Sequence, residues 1–445
     1  QEKAATIEAI SYNEAAGRFE YQVVRDYREG GAAKVYYADR PTCIACHRNH
    51  APIFSRPLWD ETNANAAIAA TLASLRDSFY GIPVARGVDI PNAIDDATDR
   101  ANSYAALQRI WREGCETPGV PEEEIACRAD ALLAMLRYRL AGNRHPAPDR
   151  ESPATAFAAA LERRWPELWP GGLALPEGDV PNRAPLAAPL DPRELSEATA
   201  IRLTTIPRAF EPFMPRPPHE VWQAPATPEQ TRRLVEGLAQ FVADADIQRL
   251  DDFLWRQEAS TVDLEASCTI TTVDLANGRR EIRIDCPGPE GPVLHGYVQL
   301  QRRKVLGGAI RHLQIDGQML TNLEIAGGAA DASDDGRLGL LLKERTAGLH
   351  ARLPDGRAIR QLTIEGLSGE GPHRVTLTVA DDFSLVLDAV AAMREQARSG
   401  VSDALAPAPM RRAALMPALF AVLGAEPIDW CCLDAAGMPA AALEP

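Results

Sequence analysis

The sequence lacks several features that would place it in a familiar class of protein. It contains no run of about eighteen apolar residues, so no transmembrane helix is expected. It has no H-E-x-x-H motif, no P-loop, no convincing Ser-His-Asp elbow and no repeat of fixed period. Acidic residues outnumber basic ones, and the net charge of −15 argues against a nucleic-acid partner.

The remaining composition is that of an ordinary globular protein. Apolar residues make up 46% of the chain and charged residues 24%. A chain of 445 residues is too long for one typical core, so two or three domains are expected. The 35 prolines cluster in loops rather than in low-complexity repeats.

Cysteine is scarce, yet two of the eight cysteines fall within one five-residue block. Cys43-Ile44-Ala45-Cys46-His47 has the C-x-x-C-H spacing of c-type haem attachment. Two thiols three positions apart lie on one side of a helical turn, where both can add to the vinyl groups of one porphyrin. The imidazole of His47 then faces the iron as the proximal ligand. A redox pair would need a thioredoxin-like context and a zinc site a second C-x-x-C, and the sequence shows neither.

This block resembles the haem motif of the c-type cytochromes, and the resemblance covers about fifteen residues of the chain. It implies one covalently attached haem c and a helical cytochrome c-like domain around it. By the same resemblance, the carbonyl of Pro52 is expected to accept the Nδ1–H of His47. Arg48 and Arg56 are candidates for contact with haem propionates, with a surface position as the alternative for each. Trp59 is expected to pack on the macrocycle or in the core.

The sixth iron ligand is left open by the sequence. Small single-haem cytochromes often use a methionine, commonly followed by proline, before their last helix, and Phe213-Met214-Pro215 resembles that arrangement. Met214 is therefore the predicted distal ligand, although a large helical insertion would separate it from His47. His219 and His145 lie in proline-rich loops and are the rivals. The other histidines beyond residue 257 are expected in strands: His295, His312, His350 and His373.

The pattern of the chain predicts an α+β multidomain fold in three parts. Residues 1–257 are expected to form a mostly helical haem c domain with an N-terminal β-meander and a helical insertion. Within it, the stretch 228–254 has the apolar spacing of one long helix. Residues 258–381 show short strands at regular spacing, which predicts an antiparallel β-sandwich or barrel. Residues 382–445 are expected to form a helical tail.

The six cysteines outside the motif predict disulfide bonds and therefore an oxidising compartment. Cys268 and Cys286 lie symmetrically about Asn277-Gly278, a strong hairpin signal, and should face each other across two strands. Cys115 and Cys127 should close the connection between two helices. The sequence leaves the state of Cys431 and Cys432 open: they form a vicinal disulfide, are free thiols or are bonded to other cysteines. Gln1 at the start suggests a chain whose export signal has been removed, in a bacterial periplasm or on the extracellular face.

Three functions are compatible with these features. The first is a mono-haem c-type cytochrome that carries single electrons, as a subunit or partner of a larger redox complex. The second is a haem enzyme of peroxidase or oxidase type with an open distal site. The third is mainly an assembly protein that uses its β domain to bind other proteins. We favour electron transfer, because the sequence shows no separate catalytic constellation.

Overall fold

The structure is a computed structural model of the whole chain, and part of that chain is described. The described residues are 5–13, 18–38, 78–79, 82–83, 103–146, 152–175, 220–288, 291–302, 304–315, 317–321, 323–329, 331–332, 336–367 and 373–425. Contacts divide the chain into two compact units, each of which is discontinuous in sequence. Unit 1 comprises 1–112, 165–224 and 431–445, and unit 2 comprises 113–164 and 225–430. The predicted division into three domains stays a prediction.

Unit 1 contains the N-terminal strands. Three consecutive strands form an antiparallel meander in which Ile7 faces Val24 and Val24 faces Val35. Two further two-stranded pairs belong to this unit. The strands are β1 (Ile7–Asn13), β2 (Arg18–Arg25), β3 (Lys34–Tyr37), β4 (Ser78–Phe79), β5 (Ile82–Pro83), β6 (Leu173–Leu175) and β7 (Glu220–Trp222). The predicted β-meander is therefore confirmed.

Unit 2 is built around one antiparallel sheet of twelve strands, ten of which follow one path. The order along that path is β15-β16-β18-β19-β8-β9-β10-β11-β13-β17, and β12 and β14 pair with β11. The strands are β8 (Thr261–Leu275), β9 (Arg279–Gly288), β10 (Gly291–Gln301), β11 (Lys304–Ile315), β12 (Gln318–Leu320), β13 (Leu323–Ile325), β14 (Gly328–Ala329), β15 (Asp331–Ala332), β16 (Leu338–Leu340), β17 (Leu342–Glu344), β18 (Ala358–Glu365) and β19 (His373–Ala380).

The sheet is nearly closed, and a short segment, Leu349–Leu353, joins its two sides. On one side, the N–H of Ala351 donates to the carbonyl of Leu342 in β17 at 3.1 Å. On the other side, the N–H of Ile359 in β18 donates to the carbonyl of Ala351 at 2.8 Å. The segment thus acts as an additional strand, and it satisfies backbone groups that an open edge would leave unpaired.

The interior of the sheet is the core of unit 2. Along β9, Ile282, Ile284 and Cys286 alternate with exposed polar residues, as expected for strands with one buried face. Packing between β10 and β11 is especially close, since a Cβ on Gly296 would lie 2.6 Å from the carbonyl oxygen of Ala309. A residue larger than glycine at position 296 would therefore push the two strands apart.

Both predicted disulfides are confirmed. Cys268 and Cys286 are bonded across β8 and β9, next to the pair Thr269–Asp285. Cys115 is bonded to Cys127, twelve positions later in the chain. Disulfides persist in oxidising surroundings, so the two bonds indicate an extracellular or periplasmic location.

Seven helices have described residues. They are α1 (103–114, ending in the π-helical turn Ile110–Gly114), α2 (Pro121–Leu140), α3 (Pro153–Leu168), α4 (Pro228–Ala239), α5 (Asp244–Trp255), α6 (Ser384–Arg398) and α7 (Arg412–Leu423). α2 packs against α4, α5 and α6, and α6 packs against α7. No helix among the described residues is both long enough and apolar enough to span a membrane.

The stretch 228–254 forms two helices, so the prediction of one continuous helix is wrong. α4 begins with a capping box, in which Thr227 and Gln230 satisfy each other's backbone N–H groups. It ends at Ala239, because the next three N–H groups bond to carbonyls three positions back rather than four. Ala243 is extended at the start of α5, and Asp244 and Asp246 lie in its first turn. Helical spacing of apolar residues continues through this break, which hid it in the sequence.

The predicted fold class is also wrong, because the described chain is not mostly helical. It combines a large, nearly closed antiparallel sheet with seven helices. A mostly helical cytochrome c-like domain was inferred from a resemblance of about fifteen residues, too short to specify a fold. Alternating buried residues between Thr261 and Ala380 build the largest core instead.

Removal of the Cys268–Cys286 bond should destabilise unit 2. The bond closes a loop with a sequence separation of 18 residues, for which the loss of unfolded-chain entropy amounts to about 3 kcal/mol. The double variant Cys268→Ala/Cys286→Ala should therefore unfold at lower urea concentration, measured by circular dichroism in the strand region. Equal midpoints for variant and wild type, or free thiols at both positions in the wild-type protein, would contradict the bond.

Candidate functional site

The predicted haem site lies outside the described residues. This holds for the attachment residues, for the predicted contacts around the haem and for the distal candidates other than His145. The residues concerned are Cys43, Cys46, His47, Arg48, Pro52, Arg56, Trp59, Met214 and His219. Cys431 and Cys432 also lie outside. Their assignments stay predictions.

His145, the third candidate for the distal ligand, lies in unit 2 and is already engaged. Its Nε2 atom is 2.9 Å from Oε1 of Glu236, and its ring packs on Tyr138 with the centroids 4.5 Å apart. Burial lowers the pKa of His145, although Glu236 opposes the shift. As an iron ligand through Nε2, His145 would have to leave this carboxylate.

A cavity of about 260 Å³ adjoins His145. Most of its wall is apolar, from prolines, alanines and Val235, and its polar groups include Thr231 and Arg232. Ser152 lies in the wall as well, but its Oγ is held 2.9 Å from Oγ1 of Thr155 and accepts the Thr155 N–H at 3.2 Å. A hydroxyl committed to capping α3 is not an activated nucleophile, so Ser152 does not provide a hydrolytic nucleophile in the described wall of the cavity.

The most unusual side-chain cluster in the described chain surrounds Arg352, whose side chain is fully buried. Its Nε and Nη2 donate to Oδ1 of Asp251 in α5 at 3.1 and 2.9 Å. Its Nη1 donates to Asp382, which precedes α6, and to the carbonyl of Gly356 at 3.2 Å. Arg360 in β18 contributes a second guanidinium, 3.2 Å from Oδ2 of Asp382. Two cations and two carboxylates thus neutralise each other inside unit 2.

His350 and Trp255 extend this cluster. Oδ2 of Asp251 accepts the backbone N–H of His350 at 2.9 Å and lies 2.8 Å from its Nδ1. Because a carboxylate only accepts, Nδ1 carries the proton. The imidazole stacks on the indole of Trp255 with centroids 3.9 Å apart, and the guanidinium of Arg360 lies 4.5 Å from the same ring. Arg360 also donates to the carbonyl of Leu254 at 3.3 Å, which satisfies the end of α5.

Asp251, Asp252 and His350 place three potential metal-binding atoms within 4.8 Å of one another. Both oxygens of Asp251 are already occupied by donors, and Nδ1 of His350 is protonated toward it. A cation in this position would have to displace Arg352 or His350 from Asp251. The cluster therefore suits a structural role, in which it ties the sheet to α5 and to the start of α6.

The charge of Asp251 is stabilised in the folded state. Burial alone would raise the pKa of Asp251, but hydrogen bonds from His350 and the charge of Arg352 outweigh it and lower the pKa. A depressed pKa means that the folded state favours the carboxylate more than the unfolded state does. The resulting stabilisation is present above the ordinary Asp pKa of about 3.9 and is lost as the pH falls through the folded-state value.

Sequence reasoning missed this cluster, although a signal was present. In α5, Asp251 follows Ile247 and Leu250 and precedes Leu254 on the buried face, where an apolar residue is expected. A carboxylate in such a position needs a buried cation. Its partner comes about a hundred positions later in the chain, and the sequence gives no indication of that pairing.

The histidines of the C-terminal region were expected in strands. The structure places His295 in β10, His312 in β11 and His373 in β19. His350 lies instead in the closing segment, where it pairs with Lys343.

Substitution of Arg352 should show that the buried cluster contributes more to stability than an ordinary surface ion pair does. Arg352→Met leaves two buried carboxylates short of a cation and should lower the free energy of unfolding by about 3–5 kcal/mol at neutral pH. The deficit should shrink as the pH falls below about 4, the ordinary pKa of Asp, because the wild type then loses the stabilisation progressively until the pH reaches the lowered folded-state pKa of Asp251. Chemical unfolding across pH measures both effects.

Arg374→Met is the matched control, because Arg374 pairs with Glu265 on the exposed surface. It should change the stability by no more than about 1 kcal/mol. Equal effects of the two substitutions, or a deficit for Arg352→Met that does not vary with pH, would contradict the assigned role.

Comparison with protein-family models, with curated proteins and with solved structures gives no match at a significant level. Fold likeness therefore contributes nothing to the functional assignment. The observations that bear on function are the C-x-x-C-H block in the sequence and the two disulfides in the structure.

Proposed function

We propose that the protein is a mono-haem c-type cytochrome that carries single electrons in the bacterial periplasm or on the extracellular face. The observation that carries this proposal is the block Cys43-Ile44-Ala45-Cys46-His47. Its donor set fits haem c, because two thiols can form thioethers and the adjacent imidazole is a proximal iron ligand. The haem would supply a one-electron Fe(III)/Fe(II) couple.

The two disulfides support the location that this chemistry requires. Attachment of haem c in bacteria implies export, and Cys115–Cys127 and Cys268–Cys286 indicate an oxidising compartment independently of the motif. Four cysteines are thus used for cross-links at sequence separations of 12 and 18, whereas Cys43 and Cys46 are only three apart. Such close thiols are suited to one macrocycle.

The chain's other residues would orient the haem. In this proposal Pro52 holds the Nδ1–H of His47, which fixes the plane of the imidazole. Arg48 and Arg56 pair with the propionates, and Trp59 covers part of the macrocycle. Met214 is the sixth ligand, and its thioether favours the ferrous state relative to a histidine ligand.

We also propose that the protein exchanges electrons with a redox partner protein within a larger complex. A freely diffusing carrier has little use for the large sheet of unit 2, so we assign that sheet to docking or assembly. Size-exclusion chromatography of the exported protein with its membrane and periplasmic fractions distinguishes a complex from a free shuttle.

Covalent attachment is the first expected result. The protein expressed with a cytochrome c maturation system should keep its haem after denaturation and acid–acetone extraction, measured by haem-stained gels and pyridine haemochrome spectra. Cys43→Ala should leave one thioether or none, and Cys115→Ala/Cys127→Ala should keep the haem. Complete loss of haem from the denatured wild type would refute the proposal.

Methionine ligation is the second expected result. Met214→Ala should open the sixth position, so the ferrous protein should bind carbon monoxide quickly and the ferric protein should lose its weak sulfur-to-iron absorption in the far red. His145→Ala is the control and should leave both spectra as in the wild type. An unchanged spectrum for Met214→Ala would exclude Met214. Fast carbon monoxide binding by the wild type would favour an enzyme with an open site.

A further inference from the structure

Two hairpins of unit 2 end side by side at one end of the large sheet. The β8–β9 hairpin turns at Asn277 and Gly278, and the β10–β11 hairpin turns after Gln301. The side-chain amide of Gln301 donates to the carbonyl of Asn277 at 3.2 Å, which holds the two tips together.

The pairing register aligns the residues at these tips in a row across four strands. Leu275 faces Arg279, Arg279 faces Gln301, and Gln301 faces Lys304. Adjacent strands lie about 4.8 Å apart, so Arg279 and Lys304 are separated by roughly 10 Å. Arg280 and Arg302 flank this row along the chain.

Four cations lie exposed at the tips, and one carboxylate is in register with them, since Asp274 faces Arg280 across β8 and β9. Among the described residues, no carboxylate forms an ion pair with Arg279, Arg280, Arg302 or Lys304. With four cations and the one carboxylate of Asp274, the described tip residues are net positive, whereas the chain as a whole carries a net charge of −15. A concentrated positive patch on an acidic protein selects a negatively charged partner.

Two exposed leucines accompany the cations. Leu275 and Leu306 each leave 38% of their surface exposed. β11 has a β-bulge at Leu306. Gln299 pairs with Gly307 and Leu300 pairs with Val305, so Leu306 is the additional residue between them. Apolar side chains flanked by Arg and Lys are typical of surfaces that enter the boundary between lipid headgroups and acyl chains.

The backbone at Arg302 adds an independent observation. Its φ is +56°, a left-handed conformation that costs most residues free energy. Asn277 adopts a similar φ of +64° in the neighbouring turn, but asparagine tolerates this conformation well. An arginine in such a position is unfavourable for the turn itself, which points to a use for its charge.

We propose that the tips of the β8–β9 and β10–β11 hairpins form a docking site for an anionic lipid bilayer. The lipid-binding tips consist of Leu275, Arg279, Arg280, Arg302, Lys304 and Leu306. The guanidinium and ammonium groups contact lipid phosphates, and the leucines enter the acyl boundary. A polyanionic sugar would use the cations alone, whereas the bilayer also accounts for the leucines.

Flotation of the full-length protein with lipid vesicles tests the proposal. The protein should bind vesicles of phosphatidylcholine mixed with phosphatidylglycerol, should bind phosphatidylcholine alone weakly, and should dissociate as salt is added. Arg279→Gln/Lys304→Gln should weaken partitioning onto the vesicles about thirtyfold, because each cation contributes about 1 kcal/mol of binding free energy at an anionic surface. Arg163→Gln/Arg345→Gln removes two exposed cations elsewhere and should bind like the wild type.

A second pair of variants separates the bilayer from other polyanions. Leu275→Ser/Leu306→Ser keeps every charge and should weaken vesicle binding roughly tenfold while leaving retention on a heparin column unchanged. The proposal fails if the wild type does not bind the anionic vesicles, or if the tip-cation and control pairs bind alike. It also fails if the leucine variant binds vesicles as the wild type does, since the site would then recognise charge alone. Circular dichroism of each variant checks that the sheet is intact.

Discussion

The buried guanidinium of Arg352 is the interaction on which the described architecture of unit 2 depends. Arg352 belongs to Leu349–Leu353, the segment that pairs with β17 on one side and β18 on the other. Its side chain contacts Asp251 of α5 and Asp382 before α6. The same residue therefore helps close the sheet and attaches two helices to it. A buried charge of this kind adds little net stability, but any arrangement that separates it from its carboxylates is strongly disfavoured.

The features that the sequence predicted correctly are local ones. Cys268 and Cys286 flank the Asn277-Gly278 turn symmetrically, so hairpin geometry alone places them opposite each other. Short strands at regular spacing predicted an antiparallel β region over 258–381, where β8 to β19 lie, because a buried face leaves its period in the sequence. The break between α4 and α5 left no such trace, since Val242 and Ile247 continue the apolar spacing across it.

The sequence did not reveal two kinds of feature: contacts between residues far apart in the chain, and local charge that the net charge of the whole chain conceals. Asp251 and Arg352 come together only through tertiary structure, so their charges looked unrelated. The net charge of −15 described the whole chain and concealed the basic tips formed by Arg279, Arg280, Arg302 and Lys304, which two separate hairpins bring together. The predicted haem residues stay predictions, because the described residues do not include them.

The Cys268–Cys286 bond also determines where a mechanical load on the sheet would stop. Among the described residues, the part of β8 beyond Cys268 pairs with β9, and the pairing of β8 with β19 extends from Thr261 to Cys268. Peeling the end of β8 away from β9 would therefore break hydrogen bonds one pair at a time from Leu275 back toward Thr269. It would then meet the covalent Cys268–Cys286 bond. Separation of β8 from β9 would thus stop at the disulfide, before it reaches the part of β8 that pairs with β19.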